Sequence, residues 1–347
     1  MDKQRFLIVG AGVAGICLAK HLSDKGHSIV LIDNAKNRSS VVAAGMINPI
    51  VFRRMTKSWR VDELLPYAEQ FYTAFGKECN SNFYHPISIR RVFSSEQERN
   101  FWLQKQSLPE FSDYLTLVSE EDDHFSGCLN PFGTGRVKGS AYVSPVDFVE
   151  QTKKWFDQRN GLIVEEFVYN NLDPVKLTYN GNQYDRVIFC EGVEVIHNPW
   201  FNDLQVNHTK GETLTIRSHE IPQVESLNRK CFVLPLRDQI FRVGATYTWN
   251  TYESMITDEA RKELREKLAI LTDASYDVID QNAGVRPTTM DRRPLIGQHE
   301  VFSGLYVMNG LGTKGYMIAP LIAKELCDHL LYGKPLNPEV DLKRLKK

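Results

Sequence analysis

Three glycines near the start of the chain have the spacing of a loop that holds a phosphate. Gly10, Gly12 and Gly15 form a G-x-G-x-x-G pattern directly after four apolar residues, Phe6 to Val9. In a βαβ unit the first glycine permits a tight turn, the second lets the backbone approach a pyrophosphate, and the third lets the helix pack close to the strand. The pattern therefore predicts a dinucleotide site at a helix N-terminus, where the helix dipole favours an anion.

The segments around these glycines have the order that such a site needs. Val13 to Lys25 has apolar residues at helical spacing, Gly26 ends the helix, and His27 to Ile32 is a second apolar strand. Asp33 follows at the position of an acid that binds the hydroxyls of the adenosine ribose, which favours a ribose without a 2′-phosphate. Taken alone, this unit is compatible with either NAD or FAD.

Other small residues suggest further places where the backbone could approach a ligand. Ser39 to Pro49 (SSVVAAGMINP) follows the second strand and includes a glycine and the soft apolar Met46. The predicted strand Tyr184 to Gly192 also ends in a glycine. Met308 to Pro320 (MNGLGTKGYMIAP) has three glycines before a predicted helix, whose positive end could stabilise an anion.

Arg286 is the side chain best suited to binding a small carboxylate. It lies in NAGVRPTTMDRRPLIG, where Pro287 and Pro294 predict a turn-rich path. A guanidinium matches a carboxylate with two parallel hydrogen bonds. From the residues alone, an ordinary structural ion pair is the favoured interpretation of Arg286.

Composition excludes several classes of protein. The chain has 347 residues, of which 42% are apolar and 24% charged, and its 42 basic and 43 acidic residues nearly cancel. These values are typical of a soluble protein without a global field for nucleic acid, and no stretch is long enough to span a membrane. The six cysteines form no C-x-x-C pair, so we expect reduced thiols in a cytoplasmic protein. We expect the acidic run Glu120 to Asp123 to be a solvated surface and predict no metal site.

The order of helical and strand patterns predicts an α/β nucleotide-binding domain interrupted by a second domain. Antiparallel strands are predicted for KGETLTIR and CFVLPLRDQIFRVGATYT, with a turn at 237–239, and a strand is predicted for Leu162 to Val168. A helix is predicted to follow the capping residue Thr257. We assign 1–80, 140–205 and 280–347 to the nucleotide-binding domain, and 81–139 and 206–279 to a substrate domain.

Together these segments resemble the FAD-dependent amino acid and amine oxidoreductases of the D-amino acid oxidase (DAO) type, and within them glycine and sarcosine oxidases. The resemblance covers nearly the whole chain. Its motifs occur in the family's order: GAGVAG with Asp33, SVVAAGM, VSP before a helix, a strand ending at Gly192, KGE, PLRDQIFRVGAT, AGVRPTTMDRRPLIG and NGLGTKGYMIAP. The resemblance implies an α/β fold, with a Rossmann-like FAD-binding domain and an inserted α+β substrate domain built on an antiparallel sheet.

The resemblance also implies which residues contact the cofactor. We expect FAD to be held non-covalently, since NGLGTKGYM contains no cysteine for attachment. The residues expected to contact FAD are Gly10, Gly12, Val13, Ala14, Gly15, Asp33, Asn34, Ala44, Gly45, Met46, Val168, Gly192, Gly310, Leu311, Gly312, Thr313, Lys314, Gly315, Tyr316 and Met317.

For the substrate, the resemblance implies that Arg286 binds a carboxylate, and the neighbouring site residues are Met46, Tyr247, Thr313 and Lys314. Lys314 is a candidate for aiding electron transfer to oxygen. The family pattern has a tyrosine at Phe232 and an arginine at Thr313, so we expect a rearranged carboxylate clamp. The implied reaction is hydride transfer from the α-carbon of a neutral amine to flavin N5, without a general base; water then hydrolyses the imine.

The expected partners are a small amino acid or amine and oxygen or another electron acceptor.

Three alternatives remain open from the sequence. One is the flavin domain that acts on a glycine-like amine of modified tRNA uridine, for which 53–60 could supply a basic patch although nucleic acid is disfavoured by the net charge. The others are an NAD-dependent dehydrogenase and a flavin-binding protein that has lost its substrate site.

Overall fold

The computed structural model describes residues 2–34, 36 and 39–345. In this part of the chain the α-helices are α1 Val13–Asp24, α2 Ser39–Val42, α3 Val61–Glu78, α4 Glu96–Gln106, α5 Glu120–Asp123, α6 Pro145–Asp157, α7 Asp258–Ala269 and α8 Gly315–Tyr332. Short 3₁₀ turns occur at Pro109–Phe111, Tyr169–Asn171, Gly192–His197, Gly312–Lys314 and Leu342–Leu345.

The strands of the same residues are numbered in chain order. They are β1 Arg5–Val9, β2 Ser28–Ile32, β3 Met46–Ile47, β4 Ile50–Val51, β5 Thr56–Lys57, β6 Tyr84–Pro86, β7 Ile89–Val92, β8 Thr134–Val137, β9 Ala141–Val143, β10 Leu162–Ile163, β11 Leu172–Asp173, β12 Thr178–Tyr179, β13 Asn182–Gln183, β14 Arg186–Phe189, β15 Asn207–Arg217, β16 Ser226–Asn228, β17 Phe232–Pro235, β18 Ile240–Gly244, β19 Thr248–Trp249, β20 Asp277–Thr288, β21 Leu295–Gln298 and β22 Leu305–Asn309.

A mainly parallel sheet forms the nucleotide-binding part of the fold. Its order is β10-β2-β1-β14-β22-β21, and only the pairing of β21 with β22 is antiparallel within it. Phe6 to Val9 are buried because helices or loops cover both faces. Since β2, β1, β14 and β22 run in one direction, their carboxyl ends meet at one edge of the sheet. Asp33, Gly10, Gly192 and Gly310, which are distant in sequence, are therefore brought together.

Two helices pack side by side on this sheet and begin at that same edge. Helix α1 starts directly after the glycine turn, and α8 starts at Gly315. His21 of α1 donates its Nε2 hydrogen to the carbonyl oxygen of Pro320 in α8, 2.9 Å away, and so ties the two helices together. Pro320 has no backbone N–H, so the carbonyl oxygen of Tyr316 lacks its helical donor. The Tyr72 hydroxyl donates to that oxygen at 2.8 Å.

A larger antiparallel sheet stands beside the parallel one. Strand β15 pairs with β20 along one edge and with β18 and β19 along the other, and the sheet continues through β17, β16, β7 and β8. The predicted turn at 237–239 lies between β17 and β18 and is confirmed. The predicted domain border at residue 280 falls inside β20, which belongs to this sheet.

Some local predictions need correction. The strand expected from Leu162 to Val168 ends at Ile163, where its pairing with β2 ends. The acidic run was expected to be solvated, but Asp122 is fully buried because Arg90 and Arg136 form ion pairs with it. The helix predicted after Thr257 is confirmed, and the Thr257 hydroxyl accepts a hydrogen bond from the Ala260 amide.

None of the described helices is long and apolar enough to cross a membrane.

Candidate active site

One long cavity runs between the carboxyl edge of the parallel sheet and one face of the antiparallel sheet. Its volume is about 570 Å³, within the range of about 300–1,000 Å³ that is typical of small-molecule sites. The predicted site residues that line it are Gly10, Gly12, Val13, Ala14, Asp33, Asn34, Ala44, Gly45, Met46, Gly192, Tyr247, Arg286, Leu311, Gly312, Thr313, Lys314, Gly315 and Tyr316.

The other four predicted residues lie outside the lining of this cavity. Gly15 contacts the turn from behind, since a Cβ there would lie 1.9 Å from the carbonyl oxygen of Gly10. Gly310 packs against Thr289, and Met317 is buried within α8. Val168 is 46% exposed, whereas its neighbours Phe167 and Tyr169 line the cavity. The adenine-side contact implied for Val168 stays a prediction.

The first glycine turn is shaped by contacts that leave no room for side chains. Gly10 has φ of +98°, and a Cβ there would lie 2.5 Å from the carbonyl oxygen of Cys190. A Cβ at Gly12 would lie 2.9 Å from Ser40 Oγ. That hydroxyl accepts a hydrogen bond of 3.0 Å from the Val13 amide at the start of α1. The backbone of the turn is therefore exposed to the cavity at the positive end of a helix, as a phosphate requires.

Asp33 occupies the position predicted for the ribose ligand at the end of β2. Its carboxylate accepts a hydrogen bond of 3.3 Å from the Ala11 amide and forms an ion pair with Lys153 of α6. Neither Lys153 nor Ser40 was singled out from the sequence. Ser40 lies within SSVVAAGM, a segment already predicted to approach a ligand. Its hydroxyl was therefore the signal in the sequence that could have identified it as a site residue. Nothing in the local sequence connects Lys153 to Asp33, which lies far away along the chain.

Glu191 is a further cavity residue that the sequence analysis missed. It precedes Gly192 and accepts hydrogen bonds from the Tyr169 hydroxyl at 2.6 Å and from Asn198 Nδ2 at 2.8 Å. Burial raises the pKa of Glu191 to about 7, against the opposing effect of these two donors. An acid directly before a predicted ligand-contacting glycine was the signal that could have drawn attention to it.

Lys314 lies at the start of α8 and faces the hairpin formed by β4 and β5. Its Nζ donates to the carbonyl oxygen of Asn48, 2.7 Å away, and to Ser58 Oγ. No carboxylate forms an ion pair with it in the part of the chain that the structure describes. Burial consequently lowers the pKa of Lys314 to about 8. Its positive charge and the positive end of α8 are the cationic features at this end of the cavity.

Arg286 lies on β20 at the opposite wall. Its guanidinium carbon is 4.8 Å from the centre of the Tyr247 ring, and its Nη1 is 3.5 Å from the Thr246 carbonyl oxygen. A Cβ at Gly211 of β15 would lie 1.9 Å from Nη2, so the guanidinium occupies space that only glycine leaves open. Burial lowers the pKa of Arg286, and no described residue forms an ion pair with it. A buried guanidinium without an acid is suited to bind an anion.

The residues at the cofactor end fit a bound FAD on these observations. Close backbone approach at Gly10 and Gly12, a helix N-terminus for the pyrophosphate and an acid after β2 meet the needs of the adenosine half. The second glycine cluster and the start of α8 lie in the same cavity, where they can contact the flavin half. The described residues contain no group of acids, cysteines and histidines arranged to hold a metal ion.

Comparison with known proteins agrees with this geometry. The model of the DAO family, described as FAD dependent oxidoreductase, matches residues 5–329. A glycine oxidase of Pseudomonas aeruginosa is 24% identical over 96% of this chain and 96% of its own length. The bifunctional tRNA 5-methylaminomethyl-2-thiouridine biosynthesis protein MnmC of Marinobacter nauticus is 22% identical over 93% of this chain, which spans only 55% of that protein.

Among solved structures, the glycine oxidase of Geobacillus kaustophilus has the same fold. Its TM-score is 0.81 at 18% identity, with 97% of each chain covered. The chain thus belongs to the DAO family of FAD-dependent oxidoreductases, because the family model matches nearly its whole length. It is an enzyme whose cofactor is FAD, and the alternative of an NAD-dependent dehydrogenase was wrong.

Proposed function

We propose that this enzyme oxidises a small amino acid or a secondary amine that carries a carboxylate, of the glycine, sarcosine or D-amino acid type. The observation that carries the proposal is Arg286, a buried guanidinium that opens into the same cavity as the cofactor residues. Relatives named as glycine oxidases support this substrate class. A carboxylate bound to Arg286 would hold the α-carbon between the antiparallel sheet and the start of α8.

FAD, when bound, supplies the hydride acceptor, and the protein's part is to bind, orient and tune. We place the adenosine half at the first glycine turn with Asp33, and the flavin half against Ala44 to Met46 and Leu311 to Tyr316. Attachment is proposed to be non-covalent. Arg286 fixes the carboxylate, so the amine and α-carbon are held at a defined distance from the cofactor end.

Positive charge near the start of α8 has a separate role. The unpaired amide groups of that helix and the Lys314 ammonium favour negative charge that develops at this end of the cavity. Lys314 is held by Asn48 and Ser58 and not by an acid, so its charge is not neutralised locally. We propose that it also favours electron transfer to oxygen or to another acceptor.

The carboxylate clamp differs from the family pattern. Phe232 has no hydroxyl, and Thr313 has no charge, so Arg286 acts with Tyr247, whose ring stacks on the guanidinium. Stacking orients the guanidinium but leaves its N–H groups available to a carboxylate. We therefore propose that the substrate site is intact and rearranged.

The decisive experiment is anaerobic reduction of the purified holoenzyme by a panel of amines, followed by its flavin spectrum. We expect bleaching by at least one small amino acid or N-substituted glycine. Arg286→Ala should lower kcat/KM for that substrate about 100-fold, because a buried charge partner is lost, and Arg286→Lys should recover part of it. Flavin bands that no amine bleaches, or an Arg286→Ala variant with unchanged kcat/KM, would overturn the proposal.

For the alternative of a modified tRNA uridine as substrate, two of the four basic residues of the expected patch are paired with acids. Lys57 forms an ion pair with Asp62, and Arg60 forms ion pairs with Glu63 and Glu325. The positive charges of these two residues are therefore neutralised. We do not adopt that function.

A further inference from the structure

Two aromatic side chains remain exposed directly beside the proposed carboxylate site. Tyr247 is 54% and Trp249 60% exposed, although both are large rings. Residues two apart in an extended segment point to the same side of a sheet. Trp249 therefore points to the same side as Tyr247. Because Tyr247 stacks on Arg286, that side of the sheet faces the cavity.

The strand register independently places Trp249 on the face of Arg286. Thr209 of β15 pairs with Arg286 of β20 on one side and with Trp249 of β19 on the other. Directly opposed residues in neighbouring strands share a face. Arg286, Thr209 and Trp249 therefore form one row across the sheet, and two strand spacings of about 4.8 Å separate the arginine from the tryptophan.

A small, buried side chain lies in the middle of this row. Thr209 is buried, and its hydroxyl contacts the Thr288 hydroxyl at 3.1 Å. Trp249 belongs to the edge strand β19, beyond the cavity lining. The exposed surface therefore leads from the guanidinium over the ring of Tyr247, which stacks on it, to the exposed indole ring two residues further along the chain.

We propose that Tyr247 and Trp249 form an aromatic subsite for a planar ring carried on the amine nitrogen, so that the preferred substrates are glycine derivatives with an aromatic N-substituent and not free glycine. This inference rests on the proposed function, since Arg286 must bind the carboxylate. Aromatic rings stack on one another with a preference that exceeds simple burial. With the carboxylate on Arg286, a ring attached through the nitrogen reaches over Tyr247 toward Trp249.

The same segment supplies a matched control. Tyr252 is 62% exposed, a fraction close to that of Trp249. It stacks on His208, with ring centres 4.2 Å apart. His208 is adjacent to Thr209 in β15 and so points to the opposite face of the sheet. Loss of Tyr252 therefore removes an exposed ring without touching the proposed subsite.

The test measures binding to the holoenzyme by calorimetry, with two ethers that cannot be oxidised as amines. Benzyloxyacetate carries a ring and a carboxylate, and methoxyacetate carries the carboxylate alone. We expect benzyloxyacetate to bind about 10-fold more tightly. Trp249→Ala should weaken benzyloxyacetate binding about 3- to 10-fold and leave methoxyacetate unchanged, while Tyr252→Ala should affect neither.

The outcomes separate this subsite from the proposed function. Equal affinity for the two ethers, or equal effects of Trp249→Ala on both, would overturn the aromatic subsite and leave the carboxylate site standing. Failure of both ethers to bind the FAD-loaded enzyme would overturn the carboxylate site and, with it, the subsite. Flavin content and the unfolding midpoint of Trp249→Ala should match the wild type, which excludes a general loss of structure.

Discussion

The two ends of the cavity are built in different ways. At the cofactor end the cavity is lined by backbone at Gly10, Gly12 and Gly312 and by the starts of two helices. At the substrate end it faces side chains that project from strands, chiefly Arg286 and Tyr247. Substitutions at the cofactor end should therefore damage folding and cofactor binding together, whereas those at the substrate end should change substrate recognition alone.

The largest effect is expected from Gly15→Ala at the cofactor end. The added Cβ would lie 1.9 Å from the carbonyl oxygen of Gly10, so α1 would have to move away from β1. We expect a loss of stability of about 4 kcal/mol and little bound FAD, measured by urea denaturation and by flavin content per chain. Gly26→Ala is the control: φ of +83° strains an alanine there but the space is open, so it should lose some stability and keep its FAD. Full flavin content in Gly15→Ala would contradict the close packing.

Gly211→Ala provides the corresponding test at the substrate end. Its Cβ would lie 1.9 Å from Arg286 Nη2, the end of a side chain that can shift. We expect normal stability and flavin content, but a 10- to 100-fold lower kcat/KM for carboxylate substrates, as misplacement of a binding group can cost about 100-fold. An amine substrate without a carboxylate should be unaffected. A similar loss for both substrates would show that the change is not confined to the guanidinium.

Acid should weaken the cofactor end through His21. Burial lowers the pKa of His21 to about 4, whereas an unfolded histidine titrates near about 6.5. The unfolded chain therefore binds the proton first, so the stabilising contribution is complete above about pH 6.5 and is lost as the pH falls toward 4. We expect a decrease of about 1–3 kcal/mol in unfolding free energy over this window, measured by urea denaturation. A His21→Gln variant that retained the whole pH dependence would exclude His21 as its source.

The smallest effect concerns Lys314, whose charge lies at the start of α8, at the cofactor end. Its pKa of about 8 means that it is charged below that pH and neutral above it. We expect Lys314→Met to lower kcat/KM about 2- to 5-fold at pH 7, in keeping with the modest energies of helix-terminal charges, and the difference from wild type to shrink above pH 8. Lys324→Met, on the same helix, should follow the wild type at every pH. A constant ratio across pH would exclude a role for the ammonium charge.

The cofactor end was largely predictable because each part is encoded by neighbouring residues. The glycine turn, its helix, β2 and Asp33 occupy one stretch of sequence, and the first parallel unit follows from it. Gly192 and the glycines at 310–315 could each be predicted as ligand-approach points from the residues next to them. Ser40, Lys153 and Glu191 escaped notice, since their contacts with Val13, Asp33 and Tyr169 depend on how distant segments meet.

The substrate end was predictable only in part. Arg286 and Tyr247 were predicted, but no sequence pattern shows that Gly211 makes room for the guanidinium. The position of Trp249 depends on the register of three strands, and a shift of one residue would turn it to the opposite face. The strand predicted from Leu162 to Val168 was too long for a related reason, since pairing with β2 ends at Ile163.

The sequence by itself determined the dinucleotide turn, the acid that follows β2 and the glycine cluster that precedes α8, because short-range spacing sets turns and helix starts. Only the tertiary structure decided that these glycines share one sheet edge and that Arg286, Thr209 and Trp249 form a row. The physical reason is that parallel strands bring their carboxyl ends together, while cross-strand register, set by packing over the whole sheet, selects which side chains face the cavity.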